Sequence, residues 1–124
     1  MNLQELDTVA RHQISMVLIV YNDCGLGAEV HKLRKKGFDP GLAQWNSPDF
    51  VSLARSVGGD GVCLAAEDGI GEAVAKGLKA GGLFLVDARV SPTTMTDSYL
   101  KLHHGVANRA PLLRRPGQRQ LPAV

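Results

Sequence analysis

A chain of 124 residues, 44% hydrophobic and 21% charged, has the length and composition of one small globular domain. Its longest apolar run, Ile14 to Tyr21 with Ser15 inside it, falls far short of the about 20 residues a membrane-spanning helix needs, and MNLQELDTVARH lacks the apolar centre of a signal peptide. The net charge of +2 divides into −3 over residues 1–97 and +5 beyond them, and no aromatic stacking residue accompanies the tail arginines, which argues against nucleic acid as a partner.

Residues 2–12 read as a helix, with Leu3, Leu6, Val9 and Ala10 at helical spacing and Asn2 and Glu5 placed as a capping box. Ile14–Tyr21 is β-branched and apolar on both faces, as a central parallel strand would be. A helix over 26–36 stops at Gly37. A loop with Pro40, Gly41 and Trp45 follows, and Trp45 is expected as a packed anchor or a subunit contact. Ser47-Pro48-Asp49 signals a helix start with a capping hydroxyl and proline at the first helical position. Phe50, Leu53, Ala54 and Val57 form its face, and Gly58-Gly59 ends it. A short strand over Gly61–Ala66, a helix over 67–80 ended by Gly81-Gly82, and a last strand over Leu83–Val90 complete the pattern. Strands alternating with helices predict an α/β fold: a three-layer parallel sheet with flanking helices. Residues 1–100 are expected to form the domain, and 101–124 a basic, Pro/Arg-rich, poorly ordered tail.

Ligands of parallel α/β sheets sit beyond the carboxyl ends of the strands. Asn22-Asp23-Cys24-Gly25-Leu26-Gly27 occupies such an end. Glycines there admit an anion close to the backbone, and the next helix offers unpaired N–H groups. Asp23 alone would repel a phosphate, but a divalent cation between them resolves the conflict. Two other readings stand beside this one. Asn-Asp before glycine is also an ordinary turn in which Asp23 bonds its own backbone. Gly25-Leu26-Gly27 also supplies the G-x-G of a dinucleotide fingerprint, although Val30 holds its third glycine position.

Three stretches carry a family resemblance. YNDCGLGAEVHKL, NSPDFVSLARSVGGDGV and GIGEAVAKGLKAGGLFLVDARV resemble, in order, segments of the C-terminal diphosphate-binding domain of thiamine-diphosphate (ThDP) enzymes. That group includes acetolactate synthase, benzoylformate decarboxylase and pyruvate decarboxylase. The resemblance covers about residues 1–97 and implies a Rossmann-like ThDP-binding fold. It implies Mg²⁺ and ThDP as cofactors, with Asp23 as side-chain metal ligand, Gly25 as carbonyl ligand and Asn22 as support for the turn. Leu26 would lie near the diphosphate, Gly27 matches a family glycine, and Ala28 falls where relatives face the substrate. Glu29, six residues past the metal ligand, matches a catalytic acid of pyruvate decarboxylase-like members, although its place in the chain reads first as an ordinary first-turn helix acid.

The Gly-Asp-Gly half of the family motif is absent; its place falls just before Met1, so the resemblance implies an N-terminally truncated, incomplete domain. Such a chain is expected to anchor Mg-ThDP for an enzyme that decarboxylates or ligates 2-keto acids, and to turn over nothing alone. The expected partners are a second copy or a pyrimidine-binding domain. The alternative is a non-catalytic module that self-associates through an exposed sheet edge. Cys24 and Cys63, without a partner motif, read as reduced thiols of a cytoplasmic protein, Cys63 as a small core residue. His12 and His31 read as solvated or dipole-facing, Lys32, Arg34, Lys35 and Lys36 as a basic helix end, and His103-His104 as part of the tail.

Overall fold

The computed structural model describes residues 3–65 and 69–104. The chain divides into two compact units, residues 1–93 and 94–124. Within the first, α1 (Gln4–Arg11) buries Leu6. Its cap position is Leu3, which offers no side-chain acceptor; Asn2, on which the expected capping box depends, lies outside the described residues. β1 (Met16–Asn22) leads through the 23–26 turn into α2 (Gly27–Lys35). That helix closes on Gly37, whose φ of +75° a side chain would resist. A single 3₁₀ turn, Gly41–Ala43, packs against α2, and Val30, His31 and Ala43 are buried. His31 is therefore not the solvated residue its helical position suggests, because α2 has this loop as well as solvent beside it.

α3 (Phe50–Ser56) begins two residues later than Ser47-Pro48 suggests. Asp49 is its cap: Oδ1 accepts Ser52 N–H (2.9 Å) and Oδ2 accepts the Ser52 hydroxyl (2.6 Å). Two bonds from one carboxylate outcompete the single hydroxyl of Ser47, which is engaged elsewhere. β2 (Asp60–Leu64), α4 (Ile70–Ala80) and β3 (Leu83–Arg89) follow.

The sheet is parallel, in the order β1-β3-β2. Leu18 pairs with Leu85, Val20 with Asp87 and Asn22 with Arg89; Cys63 pairs with Asp87 from the other side. One face packs under α1 and α3, joining Leu6, Val51, Ala54, Leu83 and Leu85 to Met16, Leu18 and Val20. The other packs under α4, joining Ala73, Phe84 and Val86 to Val17, Val62 and Leu64. These are the three layers expected of an α/β fold.

The central strand is β3, not β1. Among the described residues β1 pairs on one side only, leaving Ile19 48% and Tyr21 78% exposed. β3 has a neighbour at each edge and is buried from Leu83 through Ala88. Unbroken apolarity favoured β1 as the deeper strand, since the run in β3 is interrupted by Asp87. Cys63 is exposed rather than a core residue, because it lies near the carboxyl end of an edge strand.

The described part of the second unit contains α5 (Asp97–His104), a helix that the sequence pattern did not single out. Thr96 caps it: Oγ1 accepts Tyr99 N–H (3.2 Å) and its carbonyl accepts Leu100 N–H (2.9 Å). Residues 105–124 of the expected tail lie outside the described residues. Among the described residues no helix is long and apolar enough to cross a membrane.

Candidate functional site at the carboxyl end of the sheet

Past Val20, Leu85 and Gly61, the face beneath α1 and α3 turns polar. Side chains of registered pairs share a face, so Asn22, Asp87, Arg89 and Cys63 gather at the carboxyl ends of all three strands. Asp87 and Asn22 are buried there, and each has partners. Asn22 Nδ2 donates to Asp87 Oδ1 (2.8 Å). Asn22 Oδ1 accepts Cys24 N–H (3.0 Å) and the Ser47 hydroxyl (2.7 Å). Arg89 Nε donates to Asp87 Oδ2 (3.1 Å), and Cys63 Sγ approaches the same oxygen at 3.6 Å. Arg89 Nη1 reaches Cys24 Sγ at 2.9 Å. Contact with Cys63, then the nearby charge of Asp87 and the bond to Cys24, holds the Arg89 guanidinium still further above its ordinary range. No buried side-chain polar atom among those described lacks a partner.

The turn leaves this ledge at Asp23, which is half-buried. Its Oδ1 accepts Gly25 N–H at 3.2 Å, the self-bonded turn that the second reading anticipated. Its Oδ2 lies over the Cα of Gly27, where any Cβ would collide with it. Gly25 faces Gln44 across an antiparallel bridge. The flanking groups make the bonds: Leu26 N–H to Ala43 C=O (2.9 Å) and Trp45 N–H to Cys24 C=O (3.2 Å). In such a pair the central residue directs its own carbonyl away from the partner strand. The Gly25 carbonyl accepts no hydrogen bond among the described residues. A Cβ on Gly25 would stand 2.5 Å from Ala43 O, so only glycine permits this approach.

The structure thus brings together Asn22, Asp23, Gly25 and Gly27. Leu26, half exposed, is the cap residue of α2 and supplies no side-chain cap bond. Ala28 and Glu29 lie exposed in the first helical turn. Glu29 Oε1 pairs with Lys32 Nζ at 3.4 Å along the helix surface. Trp45 is 48% exposed, in a loop that also exposes Phe38 and Leu42. Asp87 and Arg89 were not singled out from the sequence, and Ser47 was read only as a helix cap and not as a partner of Asn22. A readable signal existed: a charged pair, Asp87-x-Arg89, near the carboxyl end of an otherwise apolar strand.

The chain's donors fit a hard cation held jointly with phosphate. Among the described residues no three His, Cys, Asp or Glu side chains form a metal cluster. What the turn offers, among the described residues, is one carboxylate oxygen outside any hydrogen bond, Asp23 Oδ2, and one unclaimed carbonyl, at the positive end of a nine-residue helix. Mg²⁺ is commonly bound by one or two protein oxygens, with substrate phosphates and water completing the octahedron.

Residues 1–88 match the family described as "Thiamine pyrophosphate enzyme, C-terminal TPP binding domain". The chain is 28% identical over 112 residues to an acetolactate synthase large subunit from Cyanidium caldarium, a match covering 87% of this chain and 19% of that protein. It resembles the solved structure of a thiamine diphosphate-dependent 4-hydroxybenzoylformate decarboxylase from Rhodococcus jostii RHA1. There the TM-score is 0.62 at 27% identity, covering 72% of this chain and 17% of the other. The chain spans less than a fifth of the length of either relative.

Proposed function

The chain belongs to the family of C-terminal TPP-binding domains of thiamine pyrophosphate enzymes, and from that membership we propose that the 22–27 turn anchors the diphosphate of ThDP through Mg²⁺. The observation that carries this reading is the presence in one turn, at the mouth of a parallel sheet, of an Asp23 Oδ2 and a Gly25 carbonyl that accept no hydrogen bond among the described residues. Asp23 would bind the cation through its carboxylate and Gly25 through its carbonyl, while the start of α2 would face the phosphate oxygens. Gly27 keeps that approach open, Leu26 would lie against the diphosphate and Ala28 toward the substrate. When bound, ThDP supplies an electron sink for the decarboxylation or ligation of 2-keto acids. The protein's own part in this reading is to bind and orient the cofactor. Glu29, paired with Lys32 at the surface, is a weaker candidate for proton transfer than Asp23 is for metal. Two free cysteines, Cys24 and Cys63, fit a reducing, cytoplasmic compartment.

In this reading the whole enzyme works as an assembly with a second copy or with a pyrimidine-binding domain. Thermal melting tests the anchor. Millimolar Mg²⁺ plus ThDP raises the melting temperature of the wild type, and Asp23→Ala abolishes the increase. An undiminished increase in Asp23→Ala refutes the assignment.

A second reading has its own observation. β1 presents an unpaired edge among the described residues, with no charged side chain on it and with Ile19 and Tyr21 exposed. Self-association through that edge predicts a concentration-dependent mass in light scattering, which Ile19→Lys suppresses; a strict monomer at high concentration counts against it.

A further inference from the structure

Cys24 stands in a backbone conformation that its side chain disfavours. Its φ is +59°; among the described non-glycine residues only Gln13, at +52°, shares that sign. An L residue reaches this region only by crowding its Cβ against the backbone, so surrounding contacts must hold it there. Two chains of hydrogen bonds reach Cys24, and both begin at one buried carboxylate. Through Oδ1, Asp87 binds the Asn22 amide. A carboxylate only accepts, so it draws the NH₂ end of Asn22 and turns the Asn22 oxygen to the Cys24 N–H and the Ser47 hydroxyl. Through Oδ2, Asp87 binds Arg89 Nε, and Arg89 Nη1 continues to Cys24 Sγ. One arm therefore grips the Cys24 backbone and the other its side chain. Cys63 completes the contacts of Asp87, at 3.6 Å from Oδ2.

We propose that Asp87 is the positioning residue of the cofactor-anchoring turn: its two arms hold Cys24 left-handed, and that conformation sets the relative directions of the Asp23 carboxylate and the Gly25 carbonyl. This rests on the reading of the turn as the Mg-diphosphate anchor. An aspartate serving only the core would not need both of its oxygens to lead, along separate paths, to the one residue between the two metal-binding positions.

Amide hydrogen exchange on the full chain, followed by NMR, tests the clamp without any ligand. Asp87→Asn keeps the size of the side chain but has one acceptor oxygen for two arms. The Cys24 and Gly25 amides then exchange about tenfold faster, while those of Val62 and Val86 stay within about twofold of wild type. Adding Cys24→Gly to Asp87→Asn removes the need to hold a side chain at positive φ and restores protection of the Gly25 amide. Unchanged exchange at Cys24 and Gly25, equal acceleration across the sheet, or no rescue by glycine overturns the proposal. If Asp87→Asn does not fold, Arg89→Gln, which cuts one arm, gives the same local pattern at smaller amplitude or refutes the clamp. Shifts of the same two amides on adding Mg²⁺ and ThDP, present in wild type and lost in Asp23→Ala, report on the cofactor separately. Their absence would sink the anchor while leaving the exchange result standing.

Discussion

Gly27→Ala separates the stability of this domain from the geometry of its turn. Two effects of similar size oppose each other at that position. Alanine is favoured over glycine in a helix by up to about 1 kcal/mol. Against this, the new Cβ falls on Asp23 Oδ2, which must rotate away and strain the Gly25 N–H bond to Oδ1, a bond worth about 1 kcal/mol. The displaced atom ends a rotatable side chain, so the backbone has no need to move. Net stability should change by no more than about 1 kcal/mol, or roughly 5 °C in melting temperature for a domain of this size. The stabilisation by Mg²⁺ and ThDP, in contrast, should largely vanish, because the displaced oxygen is the one assigned to the metal. Gly25→Ala is the control. Its Cβ meets a main-chain oxygen, Ala43 O, at 2.5 Å, so the bridge to the 41–45 loop must part. That should lower stability by about 1–3 kcal/mol, or roughly 10 °C. Melting curves followed by circular dichroism, with and without millimolar Mg²⁺ and ThDP, measure both quantities. A Gly27→Ala variant that melts more than about 10 °C below wild type, or that keeps its full ligand-induced increase, would refute the reasoning.

Gly77→Ala should destabilise despite the helical preference for alanine: a Cβ there would stand 2.7 Å from Phe84 Cδ1 and 2.8 Å from Val17 Cγ2, where α4 meets the sheet. A loss of about 1–2 kcal/mol in urea unfolding is expected, and a gain would show that α4 has room to move outward. Acid should weaken the fold through Asp49 and Asp60. The Ser52 hydroxyl and N–H hold the Asp49 carboxyl below its ordinary 3.8, and the Gly61 N–H with Arg55 does the same for Asp60. A depressed folded-state value means that the contribution is complete above the unfolded value and is lost as pH falls below it. Melting temperature should therefore drop below about pH 4, and less steeply in the double variant Asp49→Asn/Asp60→Asn, where the introduced amide oxygen can still cap α3; an equal slope in that variant would exclude these two groups.

Much of this protein was legible along the chain because the signals are local. Alternation of strands and helices, glycines at helix ends and Asp23 followed by two glycines depend on residues within a few positions of one another, and each element expected between residues 2 and 90 appears close to where its pattern puts it, whereas α5 was not expected. The turn could be located because its chemistry lies in one hexapeptide, and its match to a family motif pointed to phosphate and metal. The cap assignment failed at Ser47 for a physical reason: several residues within two positions can cap a helix, and the choice depends on what else competes for them. Ser47 is claimed by Asn22, 25 residues away.

The sequence by itself determined the helices and strands up to β3, the α/β class, and the place of the glycine turn, since these follow from backbone preference and hydrophobic period. Only the tertiary structure decided that β3 is central and β1 an edge, because strand order depends on which edges meet and not on how apolar a strand is. Only it joined Asp87 and Arg89 to Cys24, 65 residues from Arg89 in the chain. Parallel register carries the ends of separate strands to one ledge, and no spacing along the chain encodes that meeting.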